Sequence, residues 1–393
     1  MGGALSYLAD QLAELEAQGM RLRIRTLQAE QRARTRYDGR DVINLASNNY
    51  LGLAAHPEVK EAAARAAREF GAGSGAVRTI AGTMALHEEL ERRFAAFKGA
   101  EAALMFPSGF AANAGTVAAI LTRDDVIVSD ELNHASIIDG ARLSRAEIRV
   151  FPHRDVEAAD RLLAESGGKA RKLLITDGVF SMDGDIAPLP ALVEVAERHG
   201  AIMMVDDAHA SGVLGPGGKG TVAHFGIDPR RVDVQVGTLS KAIGVLGGFI
   251  AGPAHLIEWL KNRGRPFLFS TSAPPAVVAA CLAALDVMER EPERIERLWS
   301  NTRFFKEGLH ALGFDTGASE TPITPVIAGE ERKAQELAAG LWEEGVFTPA
   351  VVYPTVPRGR ARVRTIVTAD HTEDDLAQAL EAFERVGRKL GLI

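Results

Sequence analysis

The 393-residue chain carries a single cysteine, Cys281, inside an apolar helical pattern. Disulfides and thiolate metal sites are therefore excluded, and a reducing compartment is expected. No stretch approaches the roughly 18 consecutive apolar residues that a membrane span requires, and the N-terminus lacks a charged segment followed by an apolar one. The expectation is a cytoplasmic protein with no membrane partner. Positive charge is not in excess either: 45 Lys and Arg stand against 52 Asp and Glu, a net charge of -7 that argues against nucleic acid as a partner. Low-complexity segments, linkers and internal repeats are missing as well.

Two glycine-rich stretches lack what nucleotide loops need. Gly71-Ala72-Gly73-Ser74-Gly75 does not match the six-residue dinucleotide pattern and follows a helix rather than a strand. Gly217-Gly218-Lys219-Gly220-Thr221 has Val213 and Gly220 where a phosphate-cradling loop needs glycine and a hydroxyl residue. Nucleotide hydrolysis has no support.

What is present is an alternation of strands and helices. Apolar runs at Ala102 to Phe106, Val126 to Ser129, Ile148 to Phe151, Leu173 to Asp177, Ile202 to Asp206, Val234 to Gly237 and Gly248 to Ala251 read as seven strands. Most are too apolar to face water on one side, which predicts a largely parallel sheet between two helical layers. The pattern predicts three parts: a helical arm and strand over residues 1–45, a large α/β domain over 46–285, and a smaller α+β domain over 286–393. In the arm, Leu8, Leu12 and Leu15 fall at helical spacing from Ser6 to Gln18, with Gly19 as a stop.

The chemistry centres on Val236-Gly237-Thr238-Leu239-Ser240-Lys241, an apolar strand that ends in a hydroxyl-bearing turn and one lysine. Upstream, Met203-Met204-Val205-Asp206-Asp207-Ala208-His209 is a second apolar strand, ending in a carboxylate with an imidazole three positions on. An amine that forms a Schiff base, a buried acid that keeps a pyridine nitrogen charged and hydroxyls that hold a phosphate suit pyridoxal phosphate. Pro107-Ser108-Gly109-Phe110, leading into an alanine-rich helix, offers backbone N–H groups to a phosphate; a plain helix cap accounts for it as well. Strand alternation sends Asp206 and Asp207 in opposite directions.

Asp-Asp-Ala-His at 206–209, Gly-Thr-Leu-Ser-Lys at 237–241, Asp-Gly-Val-Phe-Ser-Met-Asp-Gly at 177–184, Asn-His-Ala-Ser at 133–136 and Arg-Ala-Arg-Val-Arg at 360–364 together resemble the α-oxoamine synthases. These are fold-type-I pyridoxal phosphate enzymes that condense an amino acid with an acyl coenzyme A. The resemblance implies that Lys241 holds the cofactor and later removes the α-proton. It further implies that His134 stacks on the ring, Asp206 pairs with the ring nitrogen, and His209 and Ser181 face the phenolic oxygen. Gly109, Phe110 and Thr238 would hold the phosphate, joined by Ser270 and Thr271 from the second subunit of a homodimer with shared active sites. Arg364 would take the amino acid carboxylate with Asn48 orienting it, and Arg21 and Thr355 would line the acyl side; Arg362 shares the strand face of Arg364, so one of the two is expected to bind the carboxylate and the other to make a structural ion pair, with Arg364 preferred for the first.

Within the family, residues 77–83, 132–140 and 353–359 and Asn49 resemble the branch that condenses glycine with acetyl-CoA to 2-amino-3-ketobutyrate. Thr355 and residues 108–113 resemble the branch that joins alanine to pimeloyl-CoA as 8-amino-7-oxononanoate on the route to biotin. Glycine acetylation is the leading expectation, with the second branch, or both activities in one enzyme, as the alternative. A coenzyme-A-independent reaction of the same fold and a non-catalytic scaffold subunit are the readings from other classes. The presence of Lys241 speaks against the scaffold.

Overall fold

A computed structural model describes residues 3–17, 20–21 and 24–393. Thirteen strands are found among them: β1 Arg34–Tyr37, β2 Arg40–Asn44, β3 Ala102–Phe106, β4 Val126–Asp130, β5 Glu147–Phe151, β6 Lys172–Asp177, β7 Ile202–Asp206, β8 Val234–Thr238, β9 Gly248–Gly252, β10 Ile323–Gly329, β11 Val346–Phe347, β12 Ala350–Val351 and β13 Ala361–Ile366. Strands β3 to β9 form one seven-stranded sheet in the order β3-β9-β8-β7-β6-β4-β5. The pairs from β8 through β7, β6 and β4 to β5 are parallel, while β9 runs antiparallel to both β8 and β3.

Apolar side chains leave both faces of this sheet by turns, as the period of two requires. Ala103, Met105, Phe249 and Ala251 enter one core with the helices Pro57–Phe70, Ala85–Lys98 and Pro275–Arg290. Leu104, Phe106 and Ile250 enter another with Gly109–Ile120 and Ala254–Arg263. Further along, Val128, Leu174, Met203 and Val205 pack on the helices Val156–Ala164 and Leu189–Arg198, while Ile127, Leu173, Ile175 and Met204 go to the opposite face. Burial on two sides is why these strands read as unbroken apolar runs. The exception is β5, whose residues alternate between partial exposure and exposure up to Phe151, as an edge strand allows.

The C-terminal part has its own sheet, β10-β13-β12, backed by the helices Glu293–Leu312, Glu331–Glu343 and Glu373–Leu390. Ile43 and Leu45 belong to this core, and β11 pairs in parallel with β2, so the N-terminal strand packs with the C-terminal residues. Position 285 falls within the helix Pro275–Arg290, and the chain turns at Glu291 and Pro292. The N-terminal helix spans Tyr7–Ala17 with no buried residue; the expected stop at Gln18 and Gly19 lies outside the described residues. Among the described residues no helix is long and apolar enough to cross a membrane.

Candidate active site

The C-terminal ends of parallel strands β4, β6, β7 and β8 lie side by side, and the loops that leave them carry the polar groups. Open α/β sheets bind ligands at this edge. Asp206 closes β7 and is 4% exposed. Its Oδ1 accepts the Ala208 N–H at 2.9 Å, and its Oδ2 accepts Asn113 Nδ2 at 2.5 Å. Asp207 turns the other way into a fully buried ion pair with Lys98 at 2.7 Å, supported by Thr221 Oγ1 at 2.6 Å. Adjacent carboxylates thus divide, one to the site and one to the frame. Gly220 belongs to that frame, since a Cβ there would lie 2.1 Å from Asp207 Oδ2, which explains the glycine run that resembles a phosphate loop.

Lys241 follows β8, half-buried, and its amine has no hydrogen-bond partner among the described residues. Burial lowers its pKa to about 8; the charges of Asp206 and Asp177 oppose that shift and Arg364 adds to it. Such an amine is largely neutral only slightly above physiological pH, as a nucleophile or base requires. On β6, Asp177 is buried, and burial first and then the nearby Asp206 raise its pKa well above the carboxylate range. Its Oδ2 accepts the backbone N–H of His134 at 2.9 Å, and its own N–H donates to Asn133 Oδ1 at 2.7 Å.

His134 caps the helix Ala135–Ser144 and opens onto a cavity of about 750 Å³. Burial of the imidazole, opposed by Asp206 and aided by Lys241, lowers its pKa. His209 sits 2.7 Å from Tyr50 Oη through Nδ1, and burial, then Lys241 and Arg364, push its pKa well below the usual histidine range. Tyr50 is itself buried, which raises the phenol's pKa.

At the end of β8, Thr238 Oγ1 lies 2.8 Å from Ser240 Oγ and donates to the Gly247 carbonyl at 3.1 Å. The start of helix Gly109–Ile120 rests directly on it: a Cβ at Gly109 would stand 3.2 Å from Thr238 Oγ1, and one at Gly248 would stand 2.5 Å from the Gly109 nitrogen. Glycine is required at 248 because a Cβ there would strike backbone, while at 109 a Cβ would crowd the Thr238 side chain. Phe110 in the first turn is 48% exposed.

Arg364 on β13 donates through Nη2 to Asn48 Oδ1 at 2.6 Å, which joins the C-terminal sheet to the loop after β2. Arg362, one residue pair away, is buried against Asp183 Oδ1 at 2.7 Å and the Met182 carbonyl at 3.0 Å. Ser181 and Thr355 share the cavity of His134, with Leu132, Phe180 and Val356 among the walls. Ser270 and Thr271 line a separate small cleft with Phe106 and Pro107, in which neither Lys241 nor Asp206 takes part. Arg21 is exposed and makes a 3.5 Å pair with Glu16, away from this constellation's contacts.

Three polar partners were not legible in advance. Asn113 and Ser136 sit inside helix starts, and Tyr50 hides among the amides of Asn48 and Asn49; a polar residue in an otherwise small or apolar run is the signal that could have found them. Asn49, read in the sequence as a mark of the glycine-acetylating branch, is instead a structural residue. It is buried, donates to the Gln31 carbonyl at 3.2 Å and accepts the Ala54 N–H at 3.1 Å, closing the turn before Pro57.

An uncommitted amine, a buried carboxylate held by neutral donors and a helix start packed on a threonine are the groups that an aromatic aldehyde with a ring nitrogen and a phosphate requires. The aminotransferase class I and II model matches residues 40–383. The 8-amino-7-oxononanoate synthase of Symbiobacterium thermophilum is 60% identical over 388 residues, covering 98% of this chain and 99% of its own. The 8-amino-7-oxononanoate synthase of Thermoanaerobacter pseudethanolicus is 56% identical over 390 residues, covering 99% and 98%. Sphingomonas wittichii serine palmitoyltransferase superposes with a TM-score of 0.95 at 34% identity, covering 100% of both chains. These relatives correct the leading expectation of glycine acetylation, because the full-length matches carry the name of the other branch. The chain belongs to the aminotransferase class I and II family and, within it, to the α-oxoamine synthases, the pyridoxal-phosphate-dependent acyltransferases of fold type I.

Proposed function

We propose that the protein is an 8-amino-7-oxononanoate synthase, which joins L-alanine to pimeloyl-CoA with release of carbon dioxide and coenzyme A in biotin biosynthesis. The observation that carries this reading is the 60% identity to a relative of that name along essentially the whole of both chains. When bound, pyridoxal phosphate supplies the electron sink that stabilises charge at the amino acid's α-carbon.

The chain's own groups have the following roles in this reading. Lys241 attaches the cofactor and exchanges the proton at the α-carbon, its amine kept partly neutral by burial. Asp206 would pair with the ring nitrogen of the cofactor and His134 would cover its ring. Tyr50 Oη pairs with His209 Nδ1, and with the phenol as donor the Nε2–H of His209 would be left for the phenolic oxygen, with Ser181 nearby. The helix start at Gly109 and Phe110 and the Thr238 hydroxyl would hold the phosphate. Arg364, aimed by Asn48, takes the alanine carboxylate as a charge-assisted pair.

The cavity that runs from His134 to Thr355, with apolar walls at Leu132, Ile138, Phe180 and Val356, receives the acyl chain. Ser270 and Thr271 serve the neighbouring subunit of a homodimer; the exposed Phe269 and Ile80, 70% and 82% accessible, supply apolar surface for that contact. The large domain, the C-terminal domain and the N-terminal arm are the units of this assembly.

Purified protein loaded with cofactor is incubated with L-alanine and pimeloyl-CoA, and in parallel with glycine and acetyl-CoA. Free thiol is followed, and the products are weighed by mass spectrometry. The reading expects 8-amino-7-oxononanoate in the first reaction at the higher kcat/KM. A product only from glycine and acetyl-CoA, or thiol release from neither pair, overturns it.

A further inference from the structure

Four buried or cavity-edge groups in the site form a continuous chain whose direction is set at its two ends. Asp206 is acceptor-only when ionised, so the Asn113 amide must turn its NH₂ toward it. The 2.5 Å contact of Asn113 Nδ2 with Asp206 Oδ2 uses one of that nitrogen's two hydrogens. The other points to Ser136 Oγ at 3.0 Å. Ser136 Oγ accepts from Asn113, and because the Ser136 backbone N–H makes His134 Nδ1 an acceptor, the hydroxyl proton goes to that nitrogen at 2.7 Å. The Ser136 backbone N–H reaches the same Nδ1 at 3.2 Å. Two donors converge on one ring nitrogen, and a nitrogen that accepts cannot carry the proton.

We propose that Asn113 and Ser136 are positioning residues that link Asp206 to His134, fixing the imidazole in its neutral form with the proton on Nε2 while they anchor the carboxylate. Neither group contacts substrate in this role. The inference rests on the reading of the site as a pyridoxal phosphate site, but it concerns the ring of His134 in the protein itself. The titratable groups that face His134 are Asp206, Lys241, Asp177 and His209, and the net effect of burial and its charged neighbours also favours the neutral imidazole. Asn113 and Ser136 are each 1% exposed, so water does not compete for their hydrogens. An Asn113 turned the other way would set its oxygen against the carboxylate. The relay thus has one polarity, and the buried acid and the imidazole at the cavity edge are set together.

The test is the ring-nitrogen NMR spectrum of protein labelled with 15N-histidine, with the His134 signals identified by their loss in His134→Gln. The cofactor-free protein and the loaded enzyme are both measured, so the result stands whether or not the acyl transfer reaction is confirmed. Wild type is expected to show an unprotonated Nδ1 and a protonated Nε2. Ser136→Ala is expected to shift both signals toward a tautomer mixture, and Ser136→Thr, which keeps the hydroxyl, to restore the wild-type pattern. Asn113→Ala reaches the same hydroxyl from the other side and is expected to give the same mixing, together with about tenfold to hundredfold weaker cofactor retention through the loosened Asp206. In the loaded enzyme these losses should appear in kcat more than in the KM for alanine. A protonated Nδ1 in wild type, or His134 signals unchanged in both Ser136→Ala and Asn113→Ala, overturns the proposal.

Discussion

The strand ends around Lys241 and the cavity wall around Thr355 differ in how their polar groups are committed. At the strand ends nearly every donor has one acceptor: Asp206 holds Asn113 and Ala208, Asp177 holds His134, and Thr238 holds Gly247. Along the wall, Tyr353, Pro354 and Thr355 are exposed, and Arg358 merely stacks over Tyr353 at 4.4 Å. The first region is prepared for one group in one pose, as chemistry on a fixed cofactor demands. The second is a lined space, suited to a flexible chain held by area rather than by paired hydrogen bonds. Substitutions should therefore cost most at the strand ends and least along the wall.

The largest loss is expected for Lys241→Ala, which should lower kcat by about a thousandfold or more, since both attachment and proton transfer go through that amine. An absorbance titration with the cofactor and a steady-state assay check it. Arg364→Ala should raise the KM for the amino acid by about tenfold to a hundredfold, the worth of a charge-assisted hydrogen bond, while leaving the KM for the acyl donor within a few-fold. Arg364→Lys should not restore it fully, because a bidentate fork is replaced by a point charge. A loss at Arg362 of the same kind, confined to the amino acid's KM, would blur the distinction drawn between the two arginines.

The frame behind the site offers a contrast in kind. Asp207→Asn leaves Lys98 buried without its counter-ion and should destabilise the fold by about 3–5 kcal/mol, seen as a lower midpoint in denaturant. Asp206→Asn, one residue away, should cost far less stability and far more activity. Equal stability losses at the two positions would erase the division between site and frame.

The pH dependence sharpens the same comparison. Lys241 has its pKa lowered to about 8, so the neutral amine grows as pH rises from 7 to 9 and levels off above that; the rate of cofactor capture by the free enzyme should follow it. Around His153 the sign is opposite. Burial works against its charge, but hydrogen bonds and the charges of Asp130 and Asp185 outweigh it and lift the pKa to about 9. A folded pKa above the unfolded one gives stability that is full below about 6.5, the ordinary histidine value, and fades as pH climbs to about 9. His153→Gln should flatten that limb of the stability curve. The smallest effect is expected for Thr355→Ala, a change of less than about tenfold in the KM for the acyl donor, within the worth of one exposed hydrogen bond.

The same contrast decides what could be read from the sequence. Strands β3, β4 and β6 to β9 were legible because both faces are buried and the runs are apolar throughout. Strand β1 was not: Arg34-Thr35-Arg36-Tyr37 alternates charged and buried residues in a hairpin, with Asp38 and Gly39 both at positive φ in its turn. Residues at strand ends, such as Lys241 and Asp206, stand out because a polar group ends an apolar run. Asn113 and Ser136 stand out less, because Ser136 in a first helical turn looks like an ordinary cap and Asn113 is one polar residue a turn into an alanine-rich helix. Arg21 sits in a basic segment with no periodic pattern, and its side chain is exposed beside Glu16, so neither pattern nor burial singles it out.

The most direct test of the account is to load the protein with pyridoxal phosphate, reduce it with borohydride and weigh its peptides. The account predicts one pyridoxyl adduct, on the peptide carrying Lys241, and none after Lys241→Ala. An unmodified Lys241, or an adduct located on another lysine, would contradict it.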